Sequence, residues 1–523
     1  MDWSKTALGI ELGSTCIKAV LLDDSYRILA VGEHTWENKL ENGLWTYDMA
    51  DALSGVRACY AALKQSLVTR YRAVPDTFGA IGVSAMMHGY LVFDRDGKQL
   101  VPFRTWRNNN AAPAAERLTS LFSYRIPARW SVAHLYQAVL NGEPHTASVA
   151  FMTTLEGYIH YMLTGEKRIG VGEASGMFPI DVKTGRYHGQ MAAAFDALPE
   201  NQRLSRRLLD MLPEIAAAGE CAGRLTAEGA LLLDPDGDLR AGVPFCPPEG
   251  DAGTGMVATN SVKPGYGNIS AGTSIFSMTV LERGLSRVHP ELDLVATPDG
   301  NLVAMAHCSN CTSELNAWIG VFDDVLRLFG KQVPKDELYG ALFRSALTGA
   351  DDCDGLLAYN YLSGENLVKV AKGRPLFVRT SESRLNLPNF MRAQLYACIM
   401  TLKLGMDILK EENVTLKTLY AHGGIFKTAG VMQGLLASAL GTPVTVTQSA
   451  GSGGPYGMAL LAMYMLSRAE GEGLSDFLDR KVFRDVGRVT EFPDEKLAAG
   501  IARYAARFSG GLAVVREAVR SVK

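Results

Sequence analysis

Two short turns, each with one glycine and two hydroxyl residues, carry the first chemistry that the sequence suggests. Gly13-Ser14-Thr15 and Gly272-Thr273-Ser274 each lie between two strand-like apolar segments. A tight turn of this kind points successive backbone N–H groups and small hydroxyls into one concavity, which binds anions. Each turn alone is typical of an ordinary hairpin, but two such turns facing each other would hold a polyphosphate.

The better-known phosphate and metal motifs are missing. No G-x-x-x-x-G-K-[ST] and no strand-linked G-x-G-x-x-G is found, which disfavours a P-loop NTPase and a dinucleotide-binding domain. His307-Cys308-Ser309-Asn310-Cys311 contains a CxxC pair, but no second pair stands at a zinc-like spacing. We therefore interpret this pair as chance. The eight cysteines are scattered along the chain, which indicates reduced thiols in a cytoplasmic protein.

Strands and helices must position these turns, and the sequence predicts them in the same order in both halves. Apolar segments separated by small turn residues predict a β-meander over residues 7–12, 17–22 and 28–31. Residues 267–270 and 275–280 repeat the arrangement of strand, glycine with two hydroxyl residues, and strand. We interpret the repetition as a duplicated architecture of two similar domains.

The remaining elements follow from apolar periodicity and from capping residues. Asp48 is a suitable N-cap for an amphipathic helix to about residue 68. Glycines and prolines end several of the later helices. Strands are predicted at 81–84, 416–421 and 444–446, and helices at 148–163, 390–411, 425–440 and 454–466. Strands and helices in this mixture indicate an α/β fold.

Length and composition limit the class of protein. The chain has 523 residues, 47% of them hydrophobic, and a net charge of −3 from 52 basic and 55 acidic residues. We therefore expect neither nucleic acid nor a membrane as a partner. No signal peptide and no apolar run of about 18 residues is found, so we expect a soluble protein. Glycine is in excess, at 53 residues against about 37 for average usage.

At this point the residues resemble a known family. Gly9-Ile10-Glu11-Leu12-Gly13-Ser14-Thr15 with Lys18 is similar to the first phosphate motif of the FGGY carbohydrate kinases, members of the actin-like ATPase superfamily. Ser84-Ala85-Met86-Met87-His88-Gly89 resembles the sugar-site strand of the xylulose kinases in that family. Further motifs occur in the family's order and cover nearly the whole chain: Trp106-Arg107-Asn108, Glu173-Ala174-Ser175-Gly176, Gly250-Asp251-Ala252, Gly272-Thr273-Ser274, Tyr361-Leu362-Ser363-Gly364-Glu365 and Gly423-Gly424.

The resemblance implies a fold and a reaction. The fold is α/β, with two actin-like (ribonuclease H-like) ATPase domains and a cleft between them, which we expect at residues 1–254 and 255–523. A proline-rich stretch at 243–251 is the candidate hinge. The reaction is transfer of the γ-phosphate of ATP to a hydroxyl of a ketose or related polyol, most simply one like xylulose. A cytoplasmic location is expected, and a homodimer is left open.

The resemblance also implies roles for individual residues. Asp251 would be the catalytic base, because an ionised carboxylate can orient a hydroxyl and accept its proton. Glu11 would support Mg²⁺ through water. The acceptor would contact Met87, His88, Trp106, Asn108 and Asp251. The nucleotide would contact Gly13, Ser14, Thr15, Lys18, Gly272, Thr273, Ser274, Gly423, Gly424 and Lys427.

Some positions depart from the family's pattern. Glu11 stands where the family has Asp, Met86 where xylulose kinases have Gln, and Asn108 where they have Asp. Two alternatives therefore stay open. One is an actin-like ATPase whose output is conformational, and the other is a sugar- or nucleotide-binding regulator with impaired catalysis.

Overall fold

The protein is described by a computed structural model that covers residues 2–447 and 453–522. The chain forms two compact units. The first contains Met1–Lys263, Asp293–Val303 and Ser452–Asp485, and the second contains Pro264–Leu292, Ala304–Gly451 and Val486–Lys523. The chain thus first passes from one unit to the other after residue 263, nine residues beyond the expected boundary.

The helices are numbered along the chain. They are α1 Met49–Tyr71, α2 Ala112–Phe122, α3 Ser131–Leu140, α4 Leu155–Thr164, α5 Val171–Met177, α6 Gly189–Asp196, α7 Leu208–Met211, α8 Ala227–Leu233, α9 Asp251–Ala258, α10 Thr312–Leu328, α11 Lys335–Ala346, α12 Leu387–Glu411, α13 Met432–Leu440, α14 Gly453–Ser467, α15 Leu474–Phe477 and α16 Glu495–Ser521.

The strands are numbered in the same way. They are β1 Ala7–Leu12, β2 Cys16–Leu22, β3 Ile28–Thr35, β4 Lys39–Glu41, β5 Leu44–Thr46, β6 Ala80–Ala85, β7 Leu91–Phe93, β8 Phe151–Thr153, β9 Arg168–Gly170, β10 Ile180–Asp181, β11 Arg186–Tyr187, β12 Glu214–Ala216, β13 Gly223–Arg224, β14 Pro244–Phe245, β15 Glu249–Gly250, β16 Tyr266–Ala271, β17 Ile275–Val280, β18 Asp293–Ala296, β19 Leu302–Cys308, β20 Leu357–Tyr359, β21 Leu376–Val378, β22 Thr418–His422, β23 Val444–Thr447 and β24 Arg488–Glu491.

The first unit is built on a mixed sheet with the strand order β13-β14-β6-β1-β2-β3, with β15 also paired to β6. The meander β1-β2-β3 is antiparallel, as predicted, whereas β1 and β6 are parallel. Helix α1 packs on the sheet through Val56, Leu63 and Leu67. Asp48 caps this helix, because its carboxylate accepts a hydrogen bond from the Ala50 N–H.

Helix α14 covers the middle of the same sheet so closely that a side chain would not fit between them. A Cβ at Gly9 of β1 would collide with the backbone of Pro455 and Ala459 in α14. The glycine therefore lets the helix backbone reach the strand that leads to the Gly13 turn.

The second unit repeats this plan. Its sheet has the strand order β19-β17-β16-β22-β23-β24. Strands β16 and β17 form an antiparallel hairpin, and β16 pairs in parallel with β22, as β1 does with β6. Helix α12 is buried along most of its 25 residues. The repeated turn with two hydroxyl residues therefore occupies the same place in both units, at the end of the first hairpin strand.

Two predicted helices are wrong at their starts. The helix expected to end at residue 440 begins only at Met432, as α13, and a short 3-10 helix at Gly424–Phe426 precedes it. Residues 148–153 were expected to be helical, but β8 forms at Phe151–Thr153 and pairs antiparallel with β7, so α4 begins only at Leu155. This pairing between segments distant in sequence outweighs local helix propensity. The end of the helix is confirmed, since Gly165 adopts the left-handed conformation with φ 76°.

The proline-rich stretch at 243–251 forms β14, β15 and the first residue of α9 inside the first unit. All eight cysteines are free thiols, and six of them are buried. Within residues 2–447 and 453–522, no helix is both long enough and apolar enough to cross a bilayer.

Candidate active site

The first hydroxyl-rich turn joins β1 to β2. The Gly13 N–H donates to the Cys16 carbonyl at 3.0 Å, which closes the turn. Two buried aromatic side chains donate to its carbonyls: Trp36 Nε1 to Gly13 O and Tyr47 Oη to Ser14 O, each at 2.7 Å. The turn is therefore held from one side, and Thr15 is exposed on it.

Lys18, predicted to contact phosphate, lies across from Glu11 in the register of β1 and β2. Its ammonium forms an ion pair with Glu33 at 3.3 Å, and its side chain is 45% exposed. Both side chains of this ion pair are exposed to solvent, so the pair contributes little to the stability of the fold.

Glu11 lies at the end of β1 among hydroxyl groups and another carboxylate. The Ser84 hydroxyl donates to Glu11 Oε2 at 3.4 Å, and Thr254 also bonds to the carboxyl group. Loss of contact with water, together with the negative charge of Asp251, raises the pKa of Glu11 to about 8. A Cβ at Gly454 would collide with this carboxylate, so the glycine leaves room for it.

Asp251 begins α9 and is exposed to solvent. Its Oδ1 accepts a hydrogen bond from the Met87 N–H at 3.1 Å. Although part of Asp251 is open to solvent, the protein atoms packed around its carboxyl group displace water and raise its pKa, and hydrogen bonds from the Met87 and Ala252 N–H groups oppose that rise. The structure thus places Asp251 next to Met87, in a segment that the sequence analysis assigned to the acceptor.

His88 follows Met87 in an unusual conformation, with φ 72°. Its N–H donates to Glu173 Oε1 at 2.8 Å, and its Nδ1 lies 3.2 Å from the Gly176 carbonyl. The imidazole is buried, stacks toward Trp130 with ring centroids 6.4 Å apart, and packs so closely on α5 that a Cβ at Gly176 would collide with it.

Three buried glutamates near His88 were missed as a group by the sequence analysis. Glu249 accepts hydrogen bonds from the Gly172 and Glu173 N–H groups at the start of α5, at 3.1 and 2.9 Å. Burial raises the pKa of Glu249 and of Glu156 to about 8, and it raises that of Glu173 well above its usual value. Glu173 belongs to a motif that the resemblance drew on, but only the fold shows that its carboxyl group lies against His88.

Asn108, predicted to contact the acceptor, is buried and bonded to the backbone. Its amide pairs with both the N–H and the carbonyl of Trp45 at 2.8 Å, and it also donates to Thr105 O at 3.2 Å. Through these hydrogen bonds, Asn108 connects β5 to the segment that follows β7. Trp106 is partly buried against the core of the first unit.

The second hydroxyl-rich turn and the predicted adenosine turn meet in one cavity of the second unit. The cavity has a volume of about 490 Å³. Its lining comes from four segments of the chain: Ala271, Gly272 and Thr273; Thr312, Leu315 and Asn316; Lys335, Asp336, Tyr339 and Phe343; and Gly424, Ile425, Lys427 and Thr428. The structure therefore brings Gly272 and Thr273 together with Gly424 and Lys427, which follow about 150 residues later in the sequence.

Two details fix the geometry of this cavity. Gly423 has φ 121°, and a Cβ there would collide with the Ala271 carbonyl, so the turn passes directly over β16. The Gly272 carbonyl accepts hydrogen bonds from the Thr312 N–H and hydroxyl at 3.1 and 2.8 Å. The contributions of α10 and α11 were not foreseen, because they depend on packing between distant segments.

The CxxC pair has no metal-binding geometry in the part of the chain that the structure describes. Among the described residues, only the carboxylates of Asp234, Asp236 and Asp238 lie close enough together to share a metal ion. The Lys64 ammonium forms ion pairs with all three at 2.6–2.9 Å. The lysine supplies the positive charge that this cluster needs. Cys308 and Cys311 are buried.

Comparison with known proteins identifies the family. The model described as the FGGY family of carbohydrate kinases, N-terminal domain, matches residues 6–257, and the one for the C-terminal domain matches residues 267–466. The chain belongs to the FGGY family of carbohydrate kinases. It is thus a phosphotransferase of two α/β domains with the fold of the actin-like ATPases, and the family implies ATP as the phosphoryl donor.

Relatives of this FGGY kinase differ in the acceptor that their names give. A xylulose kinase of Haemophilus influenzae is 21% identical over 490 residues, which are 90% of this chain and 92% of that protein. The solved xylulose kinase of Lactobacillus acidophilus is 17% identical, with a TM-score of 0.78 and coverage of 99% of both chains. The gluconate kinase of Lactobacillus acidophilus has the same identity and TM-score, and covers 99% of this chain and 98% of that one.

Proposed function

We propose that this FGGY kinase transfers the γ-phosphate of ATP to a hydroxyl of a ketose or related neutral polyol, most simply one like xylulose. The observation that carries the proposal is the pairing of Asp251 with the Met87-His88 segment. One oxygen of the Asp251 carboxylate accepts the Met87 N–H, while the residue remains open to solvent. An acceptor hydroxyl can therefore reach a carboxylate whose orientation the backbone fixes.

In this proposal Asp251 is the catalytic base. It accepts the proton of the acceptor hydroxyl as the new O–P bond forms and the bond from the γ-phosphorus to the bridging oxygen breaks, which releases ADP. The carboxylate must be ionised to act. Because burial raises the pKa of Asp251, kcat/KM should fall as the pH is lowered, and the fall should begin at a higher pH than the pKa of an ordinary aspartate would give.

The nucleotide would bind to two groups of residues. In the second unit, the 490 Å³ cavity has a size suited to a small-molecule ligand. Gly424 and Lys427 would face the adenosine there, and Gly272 and Thr273 the phosphates. In the first unit, the N–H groups of Ser14 and Thr15 would bind phosphate as well.

Glu11 suits a role near Mg²⁺. Its neighbours offer hydroxyl and carboxylate oxygens, the ligand type that Mg²⁺ prefers, and burial together with the charge of Asp251 raises its pKa in spite of the opposing charge of Lys18. When bound, the ion would neutralise charge on the phosphates. Glu11 would hold it through water.

The charge around His88 supports a neutral acceptor over an acidic one. The ionisable groups that raise the pKa of Glu173 are Glu156, Glu249 and Asp251, all of them acidic. Asp251, which must be ionised to act as the base, would repel the carboxylate of an aldonate. This repulsion favours ketoses and polyols, in agreement with the names of the xylulose kinase relatives.

A coupled assay of ADP release over pentuloses, heptuloses, polyols and aldonates tests the proposal. We expect turnover with a ketose or polyol and little with aldonates. Asp251→Asn should lower kcat by a factor of about 100 or more, because general base catalysis contributes on that scale.

Asp24→Asn, which neutralises an exposed aspartate of the same unit, is the matched control and should leave turnover unchanged. ADP release that no acceptor stimulates and that Asp251→Asn retains would contradict the proposal. It would instead favour an ATPase with a conformational output.

A further inference from the structure

Two aromatic residues form a buried pair under the first phosphate turn. Trp36 directly follows β3, and Tyr47 directly follows β5. Their ring centroids lie 4.2 Å apart with an angle of 27° between the planes. Both side chains are at least 92% buried. Neither residue had a role in the sequence analysis.

The pair donates hydrogen bonds to three successive carbonyls of the turn. Trp36 Nε1 donates to Gly13 O and Tyr47 Oη to Ser14 O, each at 2.7 Å. The Trp36 backbone N–H donates to Thr15 O at 3.2 Å. Every carbonyl of Gly13-Ser14-Thr15 is thus held by Trp36 or Tyr47.

Peptide geometry converts these bonds into a direction for the N–H groups. In a planar trans peptide, the carbonyl of one residue and the N–H of the next point in opposite directions. When the Gly13 and Ser14 carbonyls point toward the aromatic pair, the N–H groups of Ser14 and Thr15 point away from it. Two adjacent N–H groups on one side of a turn are what an anion requires.

We propose that Trp36 and Tyr47 are positioning residues, which fix the turn so that the Ser14 and Thr15 N–H groups face the polyphosphate of the nucleotide. The inference rests on the proposed function, since it takes this turn to bind phosphate. It assigns the orientation of the turn to two side chains that lie on the opposite side from the phosphate.

The two donors suit this task. Stacked rings hold each other in place, and a buried indole N–H or phenol O–H needs a partner. Burial also raises the pKa of Tyr47, which keeps its hydroxyl protonated and able to donate. A turn that moved its carbonyls would leave the Trp36 indole N–H unsatisfied and would leave the Tyr47 hydroxyl with Asn38 as its partner.

Binding of ATP and of AMP, measured by calorimetry, tests the inference with Tyr47→Phe. This change removes one hydroxyl and keeps the stacked ring. We expect ATP to bind about 5- to 10-fold more weakly, the scale of one lost hydrogen bond. AMP, which lacks the outer phosphates, should bind as before, and KM for the acceptor should not change.

Tyr60→Phe is the matched control. The Tyr60 hydroxyl is also buried in the first unit but has no hydrogen-bond partner among the described residues, so its loss should change neither affinity. Trp36→Phe removes the other donor and should give the same selective loss for ATP. It keeps the test decisive if Tyr47→Phe does not fold.

The outcomes separate the inference from the proposed function. Unchanged ATP affinity in folded Tyr47→Phe and Trp36→Phe, or an equal loss for AMP and ATP, would overturn the positioning role. If the wild-type protein binds ATP no more tightly than AMP, the proposed phosphate contacts are wrong, and the inference that rests on them is overturned too.

Discussion

His88 has a backbone conformation that residues with a side chain rarely adopt. A positive φ costs about 1–2 kcal/mol for a residue other than glycine, and such strain persists only where the surroundings impose it. Here the Glu173 carboxyl group accepts the His88 N–H, and Gly176 leaves room for the imidazole. At the residue scale, the Met87-His88 segment is therefore held by α5.

Replacing Glu173 tests this role of α5. Glu173→Ala removes the acceptor of the His88 N–H, and we expect KM for the sugar to rise about 10-fold because His88 relaxes from its strained conformation. KM for ATP should stay unchanged. Steady-state kinetics with each substrate varied in turn measures the difference.

Glu173→Gln is the matched variant, because its amide oxygen can still accept the N–H bond. It should keep most of the affinity for the sugar. An equal rise in both KM values, or no change in Glu173→Ala, would show that Glu173 does not position His88.

At the element scale, helices α4 and α5 bring carboxyl groups into the buried interior of the first unit. Glu156 of α4 is buried, accepts a hydrogen bond from the Thr154 hydroxyl, and has no partner for its second oxygen among the described residues. Burial raises its pKa to about 8, as it does for Glu249. Between the usual pKa of a glutamate and about 8, the folded protein therefore binds more protons than the unfolded chain.

This difference predicts how stability depends on pH. The contribution of these carboxyl groups is complete below about pH 4.5 and is lost as the pH rises to about 8, because the unfolded chain releases the protons earlier. We expect Glu156→Gln to weaken the fall in the free energy of unfolding between about pH 5 and pH 8. Urea unfolding followed by circular dichroism measures it.

Glu166→Gln is the control, since Glu166 is exposed and close to Glu156 in sequence. It should retain the pH dependence of the wild-type protein. If the free energy of unfolding of Glu156→Gln falls with pH as steeply as that of the wild-type protein, Glu156 does not carry the bound proton.

Elements whose conformation is determined by neighbouring residues in the sequence could be predicted, and elements determined by tertiary contacts could not. The hairpins β1-β2 and β16-β17 and the Asp48 cap follow from alternation, turn chemistry and capping, and all are confirmed. The start predicted for α4 is wrong, because the pairing of β8 with β7 determines where this helix begins. The Trp36–Tyr47 pair and the α10–α11 wall of the cavity are likewise tertiary features, which no local pattern reports.

At the scale of the whole molecule, two units with the same hairpin plan each present one hydroxyl-rich turn. Family membership, first inferred from ordered motifs, is confirmed for most of the chain. The motifs gave the positions of Asp251, Gly272 and Gly424 but could not show that Asn108 is bonded to the backbone of Trp45. A motif gives residue order, whereas the direction of a side chain depends on what packs around it.

In the proposed reaction, the phosphoryl group passes to a sugar hydroxyl and not to water. Phosphorus NMR of the protein with ATP, Mg²⁺ and a pentulose measures this directly. We expect a new phosphate-ester resonance that grows in step with ADP and that forms more slowly with Asp251→Asn by a factor of about 100 or more. ADP formed with inorganic phosphate alone, at the same rate with and without the sugar, would contradict it.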